Sequence, residues 1–137
     1  SFNPIEIKNM LEILKRNNSD LVFASRYEKN CSSEDDTLIT SIGNFIFTKI
    51  GNIFFKLKIT DILYTFVMGN TSKVKQLDIQ SRNFVFCVEL PIKAAKVKLK
   101  MSTSKSNERA RIGGKKKVNA FYDGFLILKG MIRLYFS

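Results

Sequence analysis

Apolar residues recur at intervals of three and four in four stretches of the chain, and each stretch predicts a helix. In "NPIEIKNMLEILKRNN", Asn3 is placed to act as N-cap and Pro4 as the first helical residue. Ile7, Met10, Leu11 and Leu14 then share one face, and Asn17 and Asn18 form the closing turn, so the spacing predicts a helix over 4–16. "TLITSIGNFIFTKIGNIFFKLK" carries Leu38, Ile39, Ile42, Phe45, Ile46, Ile50, Ile53, Phe54 and Leu57 at helical spacing over 38–57. Its Gly43 and Gly51 would allow another backbone to approach. Further helices are predicted over 84–95, where Pro91 must kink the helix or open a new turn, and over 119–135.

Between these lie three strand signals. "DLVFASRY" is a short, nearly continuous apolar run of the kind buried on both faces of a parallel sheet. A β-like run from Thr65 to Met68 leads into a Gly69-Asn70 turn and a short helix with Val74 and Leu77. "VKLKMST" alternates Val97, Leu99 and Met101 with Lys98 and Lys100, the pattern of a half-exposed strand. The alternation of helices and strands predicts an α/β domain of three layers around a small parallel or mixed sheet. No repeat or linker divides it, so residues 1–137 read as one unit. A helix leading into a buried strand is half of a repeating α/β unit; the expectation is therefore a fragment whose preceding strand is missing.

Composition narrows the chemistry. The chain of 137 residues has 23 Lys+Arg against 12 Asp+Glu, a formal net charge of +11, which favours phosphate, nucleic acid or an anionic membrane surface as partner. Histidine is absent and Cys31 and Cys87 lie far apart, which excludes the Cys/His zinc patterns and points to a reduced, cytosol-facing protein. No apolar run is long enough to span a bilayer. Glu34, Asp35 and Asp36 stand together in a polar loop, where they read more simply as solvated and helix-capping than as a metal or acid/base site.

The most concentrated charge lies in "RIGGKKKVN", where Arg111, Lys115, Lys116 and Lys117 surround Gly113 and Gly114. Glycines let the backbone approach phosphates and donate N–H groups, and guanidinium and ammonium groups close over them. The basic loop precedes an apolar helix that carries Lys129 and Arg133, and basic groups beside an apolar helix are drawn to anionic head groups at ~1 kcal/mol each. Residues 38–57 suit either core packing or a membrane-facing amphipathic helix. From the residues alone both readings stay open.

Five segments in order, "NPIEIKNMLEIL", "DLVFASRY", "TDILYTFVMGN", "FCVELPIKAAK" and "ERARIGGKKKVNAFYDG", resemble the carboxyl-terminal half of a family 2 glycosyltransferase domain. That family includes the dolichyl-phosphate and polyprenyl-phosphate sugar transferases. The resemblance implies a partial GT-A fold, three-layer α/β/α with a mixed sheet, lacking the amino-terminal nucleotide-binding half. The Asp-x-Asp motif of that half is expected upstream of Ser1. The resemblance further implies transfer of a sugar, with inversion, from a nucleotide-sugar donor to a lipid-phosphate or glycan acceptor at the cytoplasmic membrane face. A divalent metal, Mg or Mn, would be held by the absent half and none by this chain, which alone would be inactive.

The resemblance also implies roles. Arg26 would face the donor phosphates; Asp61 would be catalytic, orienting sugar or acceptor; and Glu89 would lie on the acceptor side. Arg111, Gly113, Gly114 and Lys117 would bind phosphate. The match departs from the family where Tyr64 and Thr65 replace small residues, Val67 replaces an arginine and Lys116 replaces a serine. Read without the family, Arg26 would pair with Asp20 or Glu28, Asp61 would cap the turn beside Thr60, and Glu89 would face solvent. Two other classes compete: a membrane-docking module without catalysis, and a nucleic-acid-binding module. The latter fits less well, because the phenylalanines stand in apolar runs rather than between arginines on a strand.

Overall fold

The structure is a computed structural model and describes residues 2–137. Ser1 lies outside the described residues. The elements run α1 (Glu6–Arg16), β1 (Leu21–Ser25), α2 (Leu38–Phe54), β2 (Val67–Gly69), α3 (Thr71–Lys75), α4 (Phe86–Lys96), β3 (Met101–Lys105) and α5 (Ala120–Tyr135). The sheet is mixed and ordered β2-β1-β3, with β1 antiparallel to β2 and parallel to β3. Every residue of β1 is buried, as its unbroken apolar run requires of a central strand.

The two faces of β1 bury different helices. Val22 and Ala24 pack with Met10 of α1, Tyr64 and Phe66. Leu21 and Phe23 join the larger cluster, built from Val88, Leu90 and Ile92 of α4 and Ile127, Met131 and Leu134 of α5. This is an α/β fold with helices on both faces of a small mixed sheet, as the alternating pattern predicts.

Several boundaries differ for local reasons. The Asn3 side chain does accept a backbone bond, from the N–H of Ile5, but the first turn is tight and α1 begins at Glu6. The strand expected from Val97 begins only at Met101, because Lys98 adopts φ 58, a left-handed conformation that ends α4 and reverses the chain. Lys56, at φ 56, likewise follows the end of α2 at Phe54. Helix α4 runs through Pro91 to Lys96 without opening a new turn. The proline forfeits one bond to the Cys87 carbonyl, and burial of seven α4 residues holds the rest.

Helix α2 is oriented against expectation. Its buried residues are Asn44, Thr48 and Gly51, and these dock on the 59–63 segment. Leu63 N–H donates to Asn44 Oδ1 at 2.9 Å, Ile62 N–H to Thr48 Oγ1 at 3.2 Å, and Asn52 Nδ2 to the Ile59 carbonyl at 2.9 Å. A Cβ on Gly51 would lie 2.9 Å from Leu57 Cδ1, so glycine admits the side chains of the returning segment rather than a second backbone. Of the nine residues that set the helical pattern, Ile50 and Leu57 pack in the core, joined by Phe47 and Phe55, while Leu38, Ile39, Ile42, Phe45, Ile46, Ile53 and Phe54 are exposed.

Candidate functional site

Strands β1 and β3 run parallel, so the segments that follow them leave the same end of the sheet, the place where α/β folds build ligand sites. Arg26 is the first residue after β1. The β3 side continues as the 106–118 segment, joined to the 26–37 loop by a parallel bridge between Ser33 and Glu108. A cavity of about 470 Å³ opens there, lined by Arg26, Glu108, Asp35, Arg111, Lys116 and Lys117 among others.

Arg26 is the fixed centre. Its backbone N–H and Nε donate to Asp61 Oδ2 at 2.9 and 2.8 Å, Nη2 donates to Asp61 Oδ1 at 2.9 Å, and Nη1 donates to Glu108 Oε2 at 2.9 Å. Its guanidinium lies 4.5 Å above the Tyr64 ring. Burial works against the charge of Arg26, but the bonds and charges of Asp61 and Glu108 outweigh it and raise the pKa further. Arg26 is thus a permanent cation whose orientation is fixed by a bidentate carboxylate. The pairing is with neither Asp20 nor Glu28: Asp20 accepts from Lys100 N–H and Glu28 from the Thr60 hydroxyl.

Asp61 is completely buried, with its carboxylate turned onto Arg26 rather than into the cavity or onto its own turn. In this arrangement it positions Arg26. Tyr64, one of the departures from the family pattern, supports the same guanidinium from below, and its hydroxyl lies 3.2 Å from Ser106 Oγ. Ser106 in turn donates to Glu6 at 2.6 Å, which ties α1 to the site.

The basic loop lies over this centre. Arg111 Nη2 donates to Asp35 Oδ2 at 3.1 Å and Nη1 to the Lys115 carbonyl at 3.2 Å, while Lys116 Nζ donates to the Asp35 carbonyl at 3.0 Å. The Arg111 bond outweighs a small desolvation effect and holds the Asp35 carboxyl below its usual value. Gly114 has φ +76, a backbone shape that favours glycine, and a Cβ on Gly113 would meet nothing. Lys116 and Lys117 both line the cavity; Lys115 does not.

Glu89 lies elsewhere and does not face solvent. It is 3% exposed, and its carboxylate accepts from the N–H groups of Gln80 and Ser81 at 2.9 and 2.8 Å and from Lys93 at 2.8 Å. It fixes the loop before α4. Among the described residues no group of three or more His, Cys, Asp or Glu is placed to hold a metal ion. The two carboxylates on the cavity do not fit a divalent cation, since Glu108 is bound to Arg26 and Asp35 to Arg111.

An apolar seam leads away from the basic cavity. Leu63 and Val118 form walls of both the cavity and a hollow of about 370 Å³ between α2 and α5. That hollow shares Leu128 with a second, of about 250 Å³, which ends at Tyr135 and Phe136. On either side the two helices present large exposed apolar side chains, among them Phe45 at 61%, Ile53 at 69%, Phe121 at 83% and Phe125 at 65%. Lys49 rises through this face, its ammonium 5.5 Å from the Phe45 ring. No helix among the described residues is long and apolar enough to cross a membrane.

The sequence singled out Arg26, Asp61, Arg111 and Lys117, and the fold brings all four to one end of the sheet. The sequence assigned no role to Glu108, marked Tyr64 only as a departure from the family pattern, and presented Lys116 only as part of the lysine run and as a departure. Only Lys116 had a local signal, its place in the lysine run. No family model, curated protein or solved structure matches the chain.

Proposed function

We propose that this chain is the acceptor-side part of a glycosyltransferase that moves a sugar from a nucleotide-sugar donor to a lipid phosphate at an anionic membrane surface. One observation carries the choice of a lipid phosphate over a glycan: the cavity with four cations on its lining continues, through Leu63 and Val118, into an apolar seam between two helices with exposed apolar faces. An amphiphile with a phosphate head and a hydrocarbon chain matches both parts.

In this reading a phosphate oxygen of the acceptor attacks the anomeric carbon from the face opposite the leaving group. The bond from that carbon to the nucleotide diphosphate breaks, its electron pair departs on the diphosphate oxygen, and the sugar inverts. Negative charge grows on the leaving group. Arg111 and Lys117 are placed to meet it, and donors of this kind contribute ~3 kcal/mol in other enzymes. Arg26, locked by Asp61 and Glu108, supplies a charge that needs no reorganisation. The nucleotide base, and any Mg or Mn held with the diphosphate, belong to residues other than those on this cavity.

A membrane-docking module without catalysis is the second reading, favoured by the same exposed helices. Binding separates the two. A short prenyl monophosphate is expected to bind the chain at least tenfold more tightly than inorganic phosphate or the matching prenol, and Arg111→Ala or Lys117→Ala is expected to remove that advantage. In a protein that also carries the donor-binding half, each substitution should lower transfer ~10²-fold, whereas Lys115→Ala should act weakly and in proportion to salt. Equal binding of prenol and prenyl phosphate, with all three substitutions behaving alike, would leave only a docking surface.

A further inference from the structure

Three consecutive carboxylates precede α2, and each has a different engagement. Glu34 fastens the two loops together: its N–H donates to the Glu108 carbonyl at 3.0 Å and its carboxylate accepts from Ala110 N–H at 3.0 Å. Asp36 accepts from Thr37 N–H at 3.0 Å and from the Thr40 and Tyr27 hydroxyls, at the start of α2. Asp35, held between these two anchored neighbours, is aimed at the basic loop. It takes Arg111 on its carboxylate and Lys116 on its backbone carbonyl.

That is the geometry a phosphate oxygen would adopt against the same guanidinium. The charge count agrees. Arg26, Arg111, Lys116 and Lys117 face Asp35 and Glu108 across the cavity, with Asp61 behind Arg26, so three carboxylates offset three of four cations. A site for a multiply charged phosphate is therefore nearly neutral as it stands.

We propose that Asp35 is the internal counter-ion that sets the cavity's affinity for phosphate: its carboxylate occupies the anion-binding edge of Arg111 until a phosphate displaces it. This rests on the phosphate-binding reading above and adds to it a residue that opposes binding. The pair is partly exposed, 39% for the Arg111 side chain and 18% for Asp35, so the contact is weak enough for an incoming anion to break. Phosphate, which carries more charge, wins; a monoanion does not. Asp35 then makes the site selective for highly charged head groups.

The test uses inorganic pyrophosphate as probe, titrated calorimetrically into the 137-residue chain at low salt. Asp35→Asn keeps the side chain's shape and removes its charge. Relief of an exposed ion pair is expected to tighten pyrophosphate binding about three- to tenfold. Glu12→Gln changes the net charge equally on exposed α1, away from the cavity, and is expected to leave binding within about twofold of wild type. The gain from Asp35→Asn should vanish in the Arg111→Ala background.

A purely structural role for Asp35 predicts the opposite sign, because a loosened loop would bind more weakly. Weaker or unchanged binding in Asp35→Asn overturns the proposal, as does an equal gain in Glu12→Gln. Should Asp35→Asn unfold, Asp35→Ser is read in the same way. Arg111-dependent binding by wild type with no response to Asp35→Asn leaves the phosphate site standing and removes only the counter-ion. If wild type and variant both fail to bind pyrophosphate, the two readings fall together.

Discussion

Helix α4 buries Cys87, Val88, Leu90, Ile92 and Ala94, whereas α2, the more apolar sequence of the two, buries Asn44, Thr48 and Gly51. Both pack against α5. In α4 the hydrophobic effect works inward, and the helix joins β1 and α5 in a common core. In α2 the buried Asn44 and Thr48 make hydrogen bonds to the 59–63 backbone, Phe47 and Ile50 alone of its apolar side chains pack against the core, and the rest are left on the outer surface. An apolar face of that extent against water is unfavourable unless something covers it. The comparison separates two placements of the same residue types: α4 turns its apolar side chains into the core, whereas α2, and α5 on its outer face, leave large apolar side chains exposed.

The sharpest way to break the comparison is at Arg26, where the stable half of the molecule meets the cavity. Arg26→Ala would leave the buried Asp61 carboxylate without its cation, and removal of one partner of such a pair costs ~3 to 5 kcal/mol. The expected outcome is a large fall in the urea midpoint together with loss of phosphate binding. Arg26→Met combined with Asp61→Asn should recover part of the stability and none of the binding. If the single substitution leaves the midpoint unchanged, Arg26 is not the centre of the site.

Next in size is a direct contrast between the helices. Ile92→Ala removes a fully buried side chain from α4 and is expected to cost about 3 kcal/mol without altering adsorption to vesicles of anionic phospholipid. Ile46→Ser changes an exposed residue of α2, so stability should move by less than about 0.5 kcal/mol. Its effect should appear instead in vesicle adsorption, lowered several-fold, with Phe125→Ser on α5 additive to it. Should Ile46→Ser destabilise the chain as Ile92→Ala does, the outward face of α2 is misassigned.

What the sequence disclosed follows the same division. Periodicity located α1, α2, α4 and α5 to within a few residues, because a stripe at spacing three and four is a property of the chain alone. It could not say which way the stripe of α2 faces. That depends on Asn44 and Thr48 finding backbone donors in a segment that arrives 19 and 14 residues later, respectively. Likewise the basic loop and Arg26 were legible as charges, while Glu108 and Tyr64 acquire meaning only once β3 is laid parallel to β1. The alternation at Val97, Leu99 and Met101 misled for a related reason. It spans a turn whose left-handed Lys98 no period-two pattern reveals.

The smallest expected effect is in pH, and it sharpens the comparison through the polar groups each helix buries. Asn44 and Thr48 of α2 do not titrate near neutrality or in acid, but Glu89 of α4 does. Burial pushes the Glu89 carboxyl up; the Gln80 N–H, the Lys93 ammonium and the Ser81 donors outweigh this and bring it down to about 2. A carboxyl lower in the folded than in the unfolded chain stabilises the fold above its ordinary value of 4.5, and the contribution fades as pH falls from there toward 2. Wild type should therefore lose on the order of 1 kcal/mol more than Glu89→Gln between pH 5 and pH 3. Urea midpoints at pH 5, 4 and 3 measure the difference. In Asn44→Ala the loss between those pH values should match wild type, since the bond removed carries no proton equilibrium. Parallel midpoints for wild type and Glu89→Gln would mean that the charge on Glu89 contributes nothing to holding the 78–82 loop against α4.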